Sequence, residues 1–260
     1  MAAITTAWGD TLSFVAGDRS RPEWSHEARL LLGLVQPGMT VVDLGAGFGY
    51  CATLFAHAVS PTGHVYALEP EVQNFGLLQQ NVEQNGYTNV TLLRLATAAV
   101  SGHGRLIVSR THHGRHSLFP GNVLNSCSTQ DVELIALDDL AETYVDARLI
   151  DLLKIDVEGA EWLVVEGGRR TLEMAVARVW VEFWPRGLQR AQAPPAELVR
   201  ALGELGFRVT AFDLLNGSRY EDWPAERIVR YCDRLEAQLG PDGQGNPLPL
   251  VYLLCEKRAP

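Results

Sequence analysis

Basic residues are scarce. The 260-residue chain sets 22 Lys and Arg against 31 Asp and Glu, a formal charge of −9. Gripping nucleic acid requires a basic face that neutralises phosphates, and no local segregation of Lys and Arg supplies one, so nucleic acid is not an expected partner. Long apolar runs are missing too. No stretch approaches the roughly 18 residues that span a bilayer, and the first residues lack a basic segment followed by an apolar one, so no membrane association is expected. Cysteine is limited to Cys51, Cys127, Cys232 and Cys255, scattered and without a CxxC pair. That spacing argues against zinc ribbons and thioredoxin chemistry and for isolated thiols in a reducing, cytoplasmic compartment. Internal repeats are absent, and the 47% apolar content suffices for a sizeable core.

From residue 40 onward, short apolar β-type runs alternate with longer helical patterns, the mark of an α/β fold with a mostly parallel sheet and crossover helices on both faces. Strands are predicted over 40–44, 64–68, 90–95, 149–155, 179–183 and 207–212, with short ones over 105–109 and 132–135 flanking a loop. A last one over 248–254 is expected to run antiparallel. Helices are predicted over 50–59, from Pro70 to a left-handed stop at Asn85-Gly86, over 159–170, 194–205 and 225–239. Residues 1–36 read as an N-terminal helical cap, with an amphipathic helix over 23–35. Residues 37–260 form the main domain, with a loop insertion around 110–130 that is rich in His, Gly, Ser and Asn.

The most informative stretch is Val41-Val42-Asp43-Leu44-Gly45-Ala46-Gly47-Phe48-Gly49-Tyr50. A strand that enters a helix through closely spaced glycines lets a ligand approach the backbone and meets it with helix N-terminal N–H groups. A dinucleotide fingerprint would carry a further glycine where this chain has Tyr50, so an adenosyl ligand without a pyrophosphate fits better. Glu69 closes the second strand, where a carboxylate can accept two hydrogen bonds from ribose hydroxyls. Asp43 can orient the turn or reach the ligand's amino group.

This arrangement resembles a class I S-adenosylmethionine-dependent methyltransferase, and a second motif narrows the likeness. Leu153 and the run Lys154-Ile155-Asp156-Val157-Glu158-Gly159-Ala160-Glu161, followed by Val165-Glu166-Gly167-Gly168, resemble the KIDVEGAE signature of the FkbM family. Glu69-Pro70, Phe75, Asn81 and residues 132–140 also sit where that family has an EP dipeptide, apolar anchors, an asparagine and an LDDL-like segment. The resemblance covers roughly residues 38–181. It implies a Rossmann-like fold and S-adenosylmethionine as cosubstrate, with S-adenosylhomocysteine as product. The implied contacts are Asp43, Gly45, Ala46, Gly47, Tyr50, Glu69, Pro70, Thr97 and Asp156. Where many members have Asn, this chain has Gly47. Ala96-Thr97-Ala98 replaces an acidic residue common in the wider superfamily, and Thr97 is the expected substitute in adenine recognition.

Methyl transfer from a sulfonium is an in-line displacement, so candidate catalytic groups belong at the carboxyl ends of the strands. Asp156 and Glu158 occupy such a place, where they can shape the cosubstrate pocket, orient the acceptor, help hold a divalent cation, or cap the following helix. No metal is assigned. Lys154 is expected to pair with a carboxylate such as Glu182. In the His-rich stretch 111–118, His116 is nominated as general base and His113 as the second choice. Trp180, Phe183, Trp184, Tyr220 and Trp223 read as core residues before pocket residues. The expected acceptor is a hydroxyl of a small molecule, such as a sugar or a natural-product intermediate. A Rossmann-type nucleotide-dependent oxidoreductase and a silent adenosyl-binding partner subunit are the competing readings. A homodimer is compatible with the sequence.

Overall fold

A computed structural model describes residues 2–5, 11–14, 22–110, 114–123, 125–145, 148–240 and 249–258. In chain order the strands are β1 (Ala2–Thr5), β2 (Thr11–Phe14), β3 (Thr40–Leu44), β4 (His64–Leu68), β5 (Val90–Leu93), β6 (Ala96–Thr97), β7 (Gly102–Ser109), β8 (Ser126–Ile135), β9 (Leu152–Ile155), β10 (Arg178–Phe183), β11 (Phe207–Asp213), β12 (Ser218–Glu221) and β13 (Val251–Lys257). The helices are α1 (Pro22–Leu34), α2 (Tyr50–Val59), α3 (Val72–Gln84), α4 (Leu137–Thr143), α5 (Glu161–Glu166), α6 (Arg169–Met174), α7 (Pro185–Arg190), α8 (Pro195–Glu204) and α9 (Ala225–Leu239).

Eight strands form the main sheet in the order β12-β11-β13-β10-β9-β3-β4-β5. Strands β5, β4, β3, β9 and β10 are parallel, and β13 runs antiparallel between β10 and β11. The parallel strands read as near-continuous apolar runs because helices bury both of their faces. Alternate residues of one strand serve two different cores. Val41, Val65 and Leu152 pack with Leu31 of α1, Phe55 of α2 and Leu78 of α3. Val42, Tyr66 and Leu153 pack with Val164 of α5, Leu172 of α6, Leu198 of α8 and Ile228 of α9.

Three features depart from the sequence reading. The N-terminal segment is not purely helical, because β1 and β2 form an antiparallel ribbon ahead of α1. Phe14 of β2 packs on Tyr50 and shares a small apolar cluster with Leu12, Ala28 and Leu54. The helix expected over 159–170 is two, α5 and α6, interrupted at Gly167 and Gly168. A Cβ at Gly167 would lie 2.6 Å from the Ala98 carbonyl oxygen, and one at Gly168 would lie 2.5 Å from Leu137 Cδ2, so the chain passes its neighbours too closely for a regular helix with side chains. The strands expected over 105–109 and 132–135 form but run longer, as β7 and β8, so the loop between them is shorter than expected and the pair joins β6 in a three-stranded sheet.

Candidate active site

Chain order fixes where the main sheet opens. From β3 the chain moves outward through β4 to β5, and later places β9 and β10 on the other side of β3. The crevice of such a sheet lies at the carboxyl ends of the strands where the order reverses, here between the loop after β3 and the loop after β9. Gly45, at φ +81°, sits against the second loop so closely that a Cβ would overlap the Asp156 carbonyl. Its N–H and that of Ala46 donate to the Leu68 carbonyl at 3.0 and 2.8 Å, which pins the turn to β4. Gly49, at φ +90°, packs on Leu78 of α3. Gly47 differs: it is left-handed at φ +55°, yet a Cβ there would meet nothing within 4 Å. The apex of the turn therefore faces open space, beside the N-terminus of α2.

Glu69 closes β4 beneath that apex. It is buried, and its carboxylate accepts the Gly47 N–H at Oε2 and the Glu71 N–H at Oε1, both at 2.9 Å. Burial pushes its pKa up to about 7, against the lowering effect of those N–H groups. Glu71 caps α3 by accepting the Asn74 N–H at 2.8 Å. The Pro70 carbonyl accepts Gln130 Nε2 of β8 at 2.9 Å, so the second sheet docks on the loop that carries Glu69. Asn81 donates to the Phe48 carbonyl at 2.7 Å, a brace for the glycine turn from α3. Thr97 is buried in β6, registered with Ile135. Tyr50 turns its ring toward Phe14 and Phe48.

A buried polar row crosses the sheet face under α1. Asp43, Lys154 and Trp180 are registered neighbours on β3, β9 and β10. Asp156 and Glu182 follow two residues later on the same face. Lys154 Nζ lies 2.9 Å from Asp156 Oδ2 and 3.3 Å from Asp43 Oδ1, so its partners are these two carboxylates and not Glu182 as the sequence suggested. Asp43 is fully buried, and burial raises its pKa. Asp156, Glu158 and Glu182 each bring a carboxylate oxygen within 4.8 Å of the others. Carboxylates this close can share a proton or a cation. Glu182 stands well above its usual carboxylate range, first through burial and then through the charges of Asp156 and Glu158.

Two further glutamates, Glu27 and Glu161, were given no role by the sequence. Glu27 of α1 is buried on this face, accepts Trp180 Nε1–H at 3.1 Å, and has its pKa raised to about 7, chiefly by burial. Helical spacing sets Glu27 on the stripe of Ala28, Leu31 and Val35, but its partner Trp180 lies far away in the chain. Glu161, in the first turn of α5, accepts the N–H groups of Val157 and Gly159 at 3.3 and 3.1 Å and shapes the loop after β9. His116 accepts the Ser109 backbone N–H at Nδ1, 3.0 Å away. In a neutral ring the hydrogen then resides on Nε2, which makes that nitrogen a donor. His113 lies outside the described residues.

The model of the methyltransferase FkbM domain matches residues 43–209. Among curated proteins, the protein-L-isoaspartate O-methyltransferase of Aeropyrum pernix is 46% identical over 57 residues, 21% of each chain. That of Methanothrix thermoacetophila is 36% identical over 59 residues, 23% of this chain and 28% of the relative. The chain thus spans only 21–28% of the length of these relatives. Among solved structures, a protein described as an rRNA methylase of Clostridium thermocellum aligns at TM-score 0.53 and 11% identity, covering 92% of this chain and 98% of that one. A protein described as an O-methyltransferase of Klebsiella pneumoniae aligns at 0.52 and 13%, covering 95% and 84%. A methyltransferase-like protein of Streptococcus mutans, solved with S-adenosylhomocysteine, aligns at 0.51 and 13%, covering 92% and 99%. At these identities the likeness establishes the fold, a Rossmann-like methyltransferase architecture. The open apex over Gly47, the α2 N-terminus and the Glu69 carboxylate fit an adenosyl group without phosphates. The chain belongs to the FkbM family of methyltransferases, enzymes that use S-adenosylmethionine.

Proposed function

We propose that the chain methylates a hydroxyl of a small-molecule acceptor, such as a sugar or a natural-product intermediate, and that Glu182 takes the hydroxyl proton. The observation that carries this reading is the group of three carboxylates, Asp156, Glu158 and Glu182, at the ends of β9 and β10 beside the glycine turn. When bound, S-adenosylmethionine supplies an electrophilic methyl group. Gly45, Ala46, Gly47 and Tyr50 would frame its amino-acid and ribose portions, Glu69 would accept from the ribose hydroxyls, and Pro70 and Thr97 would flank the adenine. Asp43 acts indirectly, by holding Lys154 against Asp156.

A hydroxyl must shed its proton as it attacks, whereas a neutral amine attacks first and loses its proton afterwards. A proton acceptor aimed at the reacting atom therefore favours oxygen acceptors. Glu182 suits the task because its crowded, buried setting raises its affinity for a proton. Asp156 and Glu158 sustain that affinity through their charge, and Asp156 is in turn oriented by Lys154. His116 is left out of the base role, because its Nδ1 is engaged by the Ser109 N–H and its Nε2 then carries the hydrogen. The net charge of −9 and the acidic site support a small acceptor over a nucleic acid.

The test is transfer of labelled methyl from S-adenosylmethionine to a panel of methyl glycosides, phenols, amines and ribosomal RNA fragments. Methylation of hydroxyl compounds, lost by about a hundredfold or more in Glu182→Gln with unchanged affinity for S-adenosylhomocysteine, supports the reading. Transfer confined to amines or RNA, or full turnover in Glu182→Gln, rejects it.

A further inference from the structure

Glu158 is one of the few described residues other than glycine with a left-handed backbone, at φ +52°. Two side chains from the inserted loop converge on its carbonyl. Ser117 Oγ–H donates to it at 2.7 Å and Asn122 Nδ2–H at 3.1 Å. The second hydrogen of the Asn122 amide goes to the Gly187 carbonyl at 3.0 Å. Gly187 lies in α7, directly after the strand that carries Glu182. One amide thus ties the loop after β9 to the helix after β10.

The clamp is itself fixed. Ser117 is bridged to Ile107 of β7 by two backbone hydrogen bonds of 2.8 and 3.2 Å, and Asn122 ends a helical turn at Pro120–Asn122. Both are buried, at 1% and 4% exposure, so water does not compete for their bonds. Gly159, at φ +101°, lies so near that a Cβ would overlap the Asn122 amide. The sequence at this point admits the amide at the expense of a side chain.

We propose that Asn122 and Ser117 are positioning residues, which hold Glu158 in its left-handed conformation and thereby turn its carboxylate toward Asp156 and Glu182. The inference rests on the proposed joint action of these carboxylates. It gives the insertion a function that its composition does not announce: a bracket that sets the spacing of acidic groups on two strands.

The test reads the side-chain carboxyl resonances of the full chain labelled with 13C-glutamate, titrated in the parent and in Glu158→Gln, Asn122→Leu, Ser117→Ala and Ser117→Thr. Leu keeps the branching of Asn, though it is bulkier, and offers no donor. The Glu182 midpoint is expected to fall by about one unit in Glu158→Gln, where a neighbouring charge is removed. Asn122→Leu and Ser117→Ala should shift it in the same direction, Ser117→Thr should restore it, and the Asn122→Leu/Glu158→Gln double variant should move no further than Glu158→Gln alone. Calorimetry with S-adenosylhomocysteine verifies that each variant is folded, and the Ser117 pair carries the test should Asn122→Leu not fold. A parent-like Glu182 midpoint in Asn122→Leu or Ser117→Ala, alongside a shifted one in Glu158→Gln, overturns the positioning role alone. No shift in Glu158→Gln overturns both that role and the reading of the carboxylates on which it rests.

Discussion

Trp180 of β10 donates its indole hydrogen to Glu27 of α1 across 3.1 Å, and both residues are buried. The bond fastens the first long helix to the sheet beside the ion pair of Lys154 with Asp43 and Asp156. It also brings a fourth carboxylate to a face where Lys154 supplies the positive charge.

That carboxylate gives the fold a pH dependence of predictable sign. Glu27 has a folded pKa of about 7 against 4.5 for the free side chain, so between those values the folded protein binds more protons than the unfolded one. Stability therefore falls as pH rises through this window and levels off above it. Glu69 and Glu161, also raised to about 7, act in the same direction. Glu27→Gln keeps an acceptor for Trp180 and removes the charge. By denaturant unfolding it should exceed the parent at pH 8 by up to about 3 kcal/mol and lose that advantage below pH 5.

Two glycines two residues apart should respond differently to alanine. At Gly45 the new methyl would collide with the Asp156 backbone, so Gly45→Ala must separate β3 from β9 or fail to fold, with a thermal melt lowered by more than about 3 kcal/mol of stability. At Gly47 the space is open and only the left-handed backbone resists, a cost of roughly 1–2 kcal/mol. Gly47→Ala should fold, and its calorimetric affinity for S-adenosylhomocysteine should drop because the methyl occupies the open apex. A larger Gly47→Val substitution should block binding.

Glu69 allows binding and pH to be read together. Glu69→Ala removes the acceptor proposed for the ribose hydroxyls, and affinity for S-adenosylhomocysteine should weaken by about 1.5 to 3 kcal/mol, tenfold or more. Because the ionised carboxylate is the better acceptor and its pKa is near 7, parent affinity should increase from pH 6 to pH 8. That slope should vanish in Glu69→Ala.

The contrast between what the chain disclosed and what it concealed has a physical basis. The unit from β3 through the glycine turn to α2 is written locally, in a run of Val and Leu, positive-φ glycines and an amphipathic helix, and α2 and α9 begin and end where the period predicts. The position of Glu69 at a strand end was equally legible, because the apolar run of β4 stops at an acid followed by Pro70. The partner of Lys154 was not, since it depends on which strand lies beside β9. Once β3 is known to be that neighbour, alternation puts Lys154, Asp156 and the registered Asp43 on one face. Glu27 and Asn122 act across more than 30 residues of chain, on contacts that no window of sequence contains.

Lys154 offers a sharp test of the buried pair. Its ammonium is held well above the usual lysine range by Asp156 and Asp43, which outweigh the opposing effect of burial. Lys154→Met fills the volume and leaves Asp43 buried without its cation, a change that costs about 3–5 kcal/mol. Adding Asp43→Asn should recover part of that loss. Equal melts for Lys154→Met and the parent would show that the pair contributes nothing to the fold.

The rate of methyl transfer should carry the signature of Glu182. A base works only when it is unprotonated, and burial together with Asp156 and Glu158 keeps this carboxyl protonated well above the ordinary carboxylate range. Turnover with a hydroxyl acceptor should therefore rise with pH through the Glu182 midpoint and level off above it. Glu158→Gln removes one of the charges that oppose ionisation, so the rising limb should move to lower pH, while the plateau reports what is lost in orientation. Asp156→Asn removes the charge that acts more strongly on Glu182 and should move the limb further, but it also frees Lys154 from its nearest partner and so should lower the plateau more. A limb that stays fixed in both variants would assign the titration to some group other than Glu182 and leave the carboxylates no part in proton removal.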